Sequence, residues 1–217
     1  ILPILIHGAG DCVTKGDFHF KKGKLTLKIL PRIKPDFPHD ITHYKEKTKW
    51  LCSYMRQEYS LLQNELETGA YYRSKLISNF LYKGPVVEWY TRIKTKMEGN
   101  YMLFDELLPK TGIITDAGCG NGYLSYTLSF THPQRKITAF DYDEEKITIA
   151  NACFSAKTSQ IQFLQRDITN YDIEYSDGII ALDVLHYLDP AEQVKVIQKF
   201  LAKLNKNGVL ILRDANA

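Results

Sequence analysis

The run Asp116-Ala117-Gly118-Cys119-Gly120-Asn121-Gly122 sets one carboxylate before three alternating glycines. It follows an apolar segment, Ile113–Asp116, and leads into a segment that reads as a helix over Gly122–Phe130. Glycines at this spacing let the backbone turn tightly and approach a ligand closely. A helix that opens there turns unpaired N–H groups toward a polar or anionic group. Further on, Asp141 ends a second apolar segment, Ile137-Thr138-Ala139-Phe140-Asp141, 21 residues after Gly120. A carboxylate in that place can accept from both hydroxyls of a ribose. A plain helix cap is the other reading of Asp141, although Asp143 is the better candidate for the cap.

The glycine spacing separates the adenosine cofactors. A dinucleotide turn has the form Gly-x-Gly-x-x-Gly, and counted from Gly118 its third glycine is replaced by Tyr123. The carboxylate of Asp116 would repel a pyrophosphate, but it could accept from the ammonium of a bound amino acid. Both points favour S-adenosylmethionine (SAM) over NAD. Asp116–Gly122 resembles the first motif of class I SAM-dependent methyltransferases. Phe140-Asp141-Tyr142-Asp143 resembles the acidic end of that family's second strand, and Leu164-Gln165-Arg166-Asp167-Ile168 the element after its third. Asp177–Leu188 resembles the fourth strand with its turn, and Asn207–Leu212 the fifth strand.

The resemblance implies roles position by position. Gly118, Cys119, Gly120, Asn121 and Gly122 would surround the methionine part, and Asp116 would take its ammonium. Asp141 would hold the ribose, with Tyr142 against the adenine. Asp167 would read the adenine amino group, with Ile168 packed on the ring. Leu182 and Asp183 would border the methyl-transfer site, with His186 as the general base for an oxygen acceptor. The alternative reading is that Asp183 and His186 only shape the turn and that Tyr142 is a surface aromatic. Lys83 or Arg92 are the cations considered for the SAM carboxylate.

Strands at Ile113–Asp116, Ile137–Asp141, Ile161–Gln165, Gly178–Leu182 and Val209–Leu212 alternate with helices at Gly122–Phe130, Glu144–Ala156 and Ala191–Leu204. This is the pattern of an α/β fold, a doubly wound, Rossmann-like, mostly parallel sheet. Relative to the family it lacks the last two strands, and both chain ends read as cut from something longer. Residues 41–110 read as helices, at Leu51–Leu66, Tyr71–Leu81, Val86–Lys96 and Tyr101–Leu108, with Asp40 or Thr42 as the first cap. The resemblance implies that they form a linker and a cap over the active site. Tyr71, Tyr72, Phe80, Tyr82, Trp89 and Tyr90 are either core or a wall for an apolar acceptor.

Residues 1–40 read as strands and turns, with Ile4–His7 as a strand and Phe18–Phe20 and Leu25–Ile29 flanking a Lys21–Lys24 hairpin turn. Ile1–Asp11, Lys15-Gly16 and Lys22–Ile29 are similar to the C-terminal part of 1-acylglycerol-3-phosphate-type acyltransferases. That family's His-x-x-x-x-Asp element has no counterpart: His7, His19, His39 and His43 are followed at that distance by Cys12, Lys24, Tyr44 and Thr48. The resemblance implies a domain order of acyltransferase fragment (1–40), helical cap (41–110) and SAM-binding core (111–217), within a fusion whose methyl acceptor belongs to a lipid or acyl pathway.

Composition narrows the remaining classes. No apolar run reaches membrane-span length, and no signal peptide is evident. The four cysteines show no Cys-x-x-Cys spacing, so neither a zinc site nor a disulfide framework is expected. A cytoplasmic location is the default, with membrane association only through other parts of the parent. Residues 1–100 carry 17 Lys/Arg against 10 Asp/Glu, and residues 101–217 carry 11 against 15. The basic excess at Lys21, Lys22, Lys24, Lys28, Arg32 and Lys34 reads as a solvated surface or, less simply, as a face for anionic lipid. No nucleic-acid partner is expected from a net charge of +3, nor from the turn after the fourth strand, which lacks an Asn-Pro-Pro-Tyr motif. The rival readings are a non-catalytic SAM-binding module and an NAD-dependent oxidoreductase. The second is disfavoured because the Tyr71/Lys75 pair lies ahead of the nucleotide motif.

Overall fold

The computed structural model describes residues 1–13, 23–34, 36–38, 41, 43–81, 83–157 and 159–214. The chain divides into two compact units, Ile1–Thr68 and Gly69–Ala217. The segment read as helical, 41–110, is therefore shared between them.

In the first unit, β1 (Ile4–His7) pairs antiparallel with β2 (Thr26–Ile29). The Phe18–Phe20 partner expected for β2 lies outside the described residues, as do Lys21, Lys22, Asp40 and Thr42. The Gly-Ala-Gly-Asp stretch after β1 forms a one-turn helix, α1 (Ala9–Cys12). One face of the ribbon packs Leu5 and Leu30 against Leu62 of α2 (Tyr44–Leu66). The N-cap of α2 is His43, whose ring accepts from the Lys45 N–H. His7 closes β1 in a buried position, with Nε2 2.9 Å from Glu67 Oε1.

The second unit opens with three helices, α3 (Gly69–Asn79), α4 (Pro85–Met97) and α5 (Tyr101–Leu107). The alternating elements follow: β3 (Gly112–Ala117), α6 (Tyr123–Thr131), β4 (Arg135–Asp141), α7 (Glu144–Asn151), β5 (Ile161–Gln165), β6 (Ser176–Leu182), α8 (Pro190–Ala202) and β7 (Leu204–Arg213). The sheet order is β5-β4-β3-β6-β7, and every pairing is parallel. Both faces are covered, so the strands are nearly continuous apolar runs rather than alternating ones. Ile114, Ile137 and Ile180 pack with Leu76, Phe80, Phe104 and Leu124 on one face. Phe140, Ile179 and Ala181 pack with Val196 and Phe200 of α8 on the other.

Helix α2 begins at Tyr44 rather than Leu51, and in the second unit two element ends differ most from the sequence reading. Helix α7 stops at Asn151, short of Ala156. Strand β7 begins at Leu204 rather than Val209, because the polar stretch Asn205-Lys206-Asn207 is absorbed by a register shift opposite Ser176/Gly178, with Asn207 at φ 67°. Polar residues in a bulged strand leave no period-2 signal.

A buried ion pair ties α5 to the start of β4. Arg135 is fully buried and bonds to the Asp105 carboxylate. Its Nε donates to Pro109 O at 2.7 Å and its Nη2 to Asp105 O at 3.1 Å. Thr131 Oγ1 donates to the same carboxylate at 2.6 Å. Removing one partner of such a pair strands the other charge. Arg135→Met is therefore expected to lower the unfolding free energy by roughly 3 kcal/mol, measured by urea denaturation. An unchanged denaturation midpoint would show that the pair does not hold α5 to β4.

Candidate functional site

Parallel pairing sets Ala117 opposite both Phe140 and Ala181, so β3, β4 and β6 end along one edge. In open α/β sheets, ligands bind outside the carboxyl ends of the strands. A cavity of about 920 Å³ opens at this edge within the second unit.

The glycine turn forms one wall. The Gly118 and Cys119 N–H groups both donate to Phe140 O, at 2.8 and 3.0 Å. The Gly120 N–H donates to Asp141 Oδ2 at 2.8 Å. Gly118 has φ 75°, and a Cβ there would sit 2.6 Å from Val184 Cγ2. Gly120 has φ 56°, and a Cβ there would meet nothing within 4 Å. The first glycine is required by packing and backbone shape together, whereas the second leaves open space at the cavity.

The acidic residues hold distinct positions. Asp143 caps α7, accepting from the Glu145 and Lys146 N–H groups at 3.0 and 3.2 Å. Asp141 is therefore not the cap; its Oδ1 accepts from the Asp143 N–H at 3.0 Å. Asp116 is 3 % exposed and accepts from Ser125 Oγ at 2.5 Å. Burial lifts its carboxyl to about 6 against the lowering effect of the Ser125 bond, and the charge of Asp141 adds to the rise. Asp167 Oδ1 accepts from the Thr169 N–H and hydroxyl at 2.8 and 2.7 Å, which holds its pKa below the usual carboxylate range. The loop carrying Asp167 and Ile168 is gathered by Lys199 of α8. Its ammonium donates to Ile168 O, Tyr171 O and Thr169 O at 2.6, 3.0 and 3.2 Å.

Asp116, Gly118, Cys119, Gly120, Asn121, Asp141, Tyr142, Asp167, Ile168, Leu182 and Asp183 all line the cavity. Gly122 stands just behind, as the N-cap of α6. Tyr142 is largely exposed and Ile168 is buried. His186 is not part of the lining; its ring nitrogen Nδ1 bonds to the Asp214 carboxylate, and its N–H donates to Asp214 Oδ2 at 2.8 Å. Asp183, at φ 52°, is engaged by the Arg213 guanidinium, which also donates to Glu98 Oε2 at 2.8 Å. Neither Lys83 nor Arg92 reaches the lining, and Arg92 pairs with Glu88 instead.

Of the aromatic candidates, Tyr90 lines the cavity, Tyr72 and Phe80 are core, Trp89 is largely exposed, and Tyr82 lies outside the described residues. The sequence reading missed Lys94, Tyr101, Tyr123 and Arg213 as lining residues. Tyr123 registered there only as an absent glycine, and a lone Arg at a strand end carries no spacing signal. The lining holds six acidic side chains (Asp116, Asp141, Asp143, Asp167, Asp183, Glu192) and four basic ones (Lys94, Lys146, Arg166, Arg213). That balance, with a buried carboxylate beside the glycine turn, fits a ligand bearing ammonium and sulfonium charge.

The raised Asp116 carboxyl binds its proton more tightly in the folded chain than in the unfolded one. Folding stability should therefore fall as pH rises from about 4 to about 6. Asp116→Asn should lose that portion of the pH dependence, read from urea midpoints at pH 4.5 and pH 7. Identical pH profiles for the two proteins would place the titration elsewhere.

Residues 114–208 match the family model described as "Methyltransferase domain". Over 117 residues the chain is 26% identical to the carboxy-S-adenosyl-L-methionine synthase of Campylobacter concisus, covering 53% of this chain and 49% of that protein. Over 99 residues it is 31% identical to the malonyl-[acyl-carrier protein] O-methyltransferase of Bacillus anthracis, covering 45% and 35%. The structure of human N-acetylserotonin methyltransferase in complex with SAM is similar at 18% identity and a TM-score of 0.47, covering 70% of this chain and 40% of that one. The chain spans about half the length, or less, of the curated relatives it matches. Residues 114–208 are thus similar to a methyltransferase domain.

Proposed function

We propose that this chain transfers the methyl group of SAM to a small-molecule acceptor, using the cavity at the ends of β3, β4 and β6. The observation that carries this reading is the pairing of two carboxylates across the glycine turn. Asp116 is buried beneath it and Asp141 is bonded to its centre. Asp116 takes the ammonium of the methionine part, and Asp141 offers its remaining lone pairs to the ribose hydroxyls. Asp167 and Ile168, held by Lys199, receive the adenine.

When bound, SAM supplies an electrophilic methyl carbon on a sulfonium. The chain's own contribution is to orient the acceptor in line with that carbon and to exclude competing water. Leu182, Asp183, Tyr90 and Tyr187 border the space left for the acceptor. No general-base role is proposed for His186, because it does not line the cavity. The acceptor's proton leaves to solvent or to a group of the acceptor itself.

The acceptor is assigned to acyl or lipid chemistry, within a cytoplasmic parent that joins this domain to an acyltransferase. Support comes from the acyltransferase resemblance of residues 1–40 and from the relative named for malonyl-[acyl-carrier protein]. Among the described residues no helix is long and apolar enough to cross a membrane.

Calorimetric titration tests the cofactor. Saturable binding of SAM, none of NAD, and loss of SAM binding in Asp141→Ala are expected; NAD binding would overturn the reading. Affinity for SAM should fall about tenfold per pH unit below about 6, as Asp116 gains its proton. In Asp116→Asn the remaining affinity should be flat over that range. His186→Gln should leave SAM affinity unchanged.

A further inference from the structure

The apolar side of α4 faces solvent. At helical spacing Val86, Trp89, Tyr90, Ile93 and Met97 fall within an arc of about 100°. Val86, Trp89 and Met97 are 76%, 65% and 78% exposed, and Tyr90 is exposed as well. The inward side carries Thr91 and Thr95, both buried. Thr91 Oγ1 lies 2.9 Å from the Tyr123 hydroxyl, and Val87 packs against the core of the sheet. Polar groups inside and apolar groups outside reverse the usual arrangement of a surface helix. The contact with Tyr123 holds α4 in this orientation and keeps the stripe turned outward.

Cations border the stripe. Arg92 and Lys96, both exposed, follow one edge, and Lys94 stands at the other. Glu88 is the one acidic residue of α4 and pairs with Arg92 at 2.8 Å. Lys94 pairs with Glu98 at 3.3 Å, whereas Lys96 has no carboxylate partner among the described residues. The area of the stripe separates the classes of partner. A helix of 13 residues is about 20 Å long and about 10 Å wide, so its stripe covers roughly 200 Å². A specific protein interface takes about 800 Å² from each partner. The stripe is too small to hold a second copy or a folded protein by itself, but an interfacial helix needs only its apolar side immersed.

We propose that α4 docks the chain on an anionic bilayer surface. Val86, Trp89, Ile93 and Met97 enter the boundary between headgroups and acyl chains, a zone that favours Trp and Tyr. Arg92 and Lys96 meet the lipid phosphates. The helix lies in the surface and does not span it. Tyr90 belongs both to the stripe and to the cavity lining. Docking therefore brings the cavity mouth against the bilayer, where an acceptor dissolved in lipid reaches it without crossing water. The docking does not depend on the SAM reading.

The test is cosedimentation with vesicles of phosphatidylcholine, with and without phosphatidylglycerol. The chain should bind the anionic vesicles far better than the neutral ones, and less as salt rises. Met97→Ser should lower partitioning about tenfold, and Lys96→Gln about fivefold, with circular dichroism unchanged. Trp50→Phe leaves Trp89 as the single tryptophan, and its emission should shift to the blue on the anionic vesicles. Calorimetry without vesicles should give both stripe variants the SAM affinity of the natural chain, so a failure of docking is separable from a failure of the SAM reading. No binding to either vesicle, or equal binding to both, overturns the proposal; the first result leaves an acidic protein as the partner of the stripe. Binding that leaves Trp89 emission unshifted and is indifferent to both substitutions also overturns it, and places the contact on another surface.

Discussion

Three successive N–H groups of the glycine turn are received by two successive residues of β4. Gly118 and Cys119 donate to the Phe140 carbonyl, and Gly120 donates to the Asp141 carboxylate. The rest of the site depends on this arrangement. It requires β3 and β4 to be parallel and in the register that sets Ala117 opposite Phe140. A slip of one residue would turn Asp141 to the other face of the sheet and leave the turn without its acceptor. Hydrogen bonds to a charged group are among the stronger ones, at about 1.5–3 kcal/mol each. The turn is thereby shaped before any ligand arrives, which is the condition for binding without an ordering cost.

The second organising element is an electrostatic demand. A buried carboxylate is costly unless paired, and Asp116 has a single hydroxyl donor, Ser125. Core packing on both faces of the sheet offsets this cost. A cationic group entering beside Asp116 would relieve it. On the proposed function, the charge of that carboxylate would favour an ammonium over an anionic pyrophosphate.

Much of the second unit was legible from sequence, because buried parallel strands read as apolar runs and a glycine turn between strand and helix has few alternatives. Ile161–Gln165 matches residue for residue, and the ends of the other strands at Asp141 and Leu182 were placed correctly. The partners of the site were less legible. The bond between His186 and Asp214 spans 28 residues, a contact that no local pattern reports. Lys94, Tyr101 and Arg213 come from three separate elements and converge only when α4, α5 and β7 pack together. The ribbon of the first unit was half legible: β1 and β2 stood out as β-branched and leucine-rich runs, but their pairing with each other skips a long stretch of sequence.

The most direct test of the central claim is a crystal structure of the chain with S-adenosylhomocysteine, the product left after methyl transfer. The account predicts the ribose diol on Asp141, the adenine between Tyr142 and Ile168 with its amino group at Asp167, and the ammonium at Asp116. A ligand bound with its ribose away from Asp141, or a cavity that stays empty at saturating concentration, would contradict it.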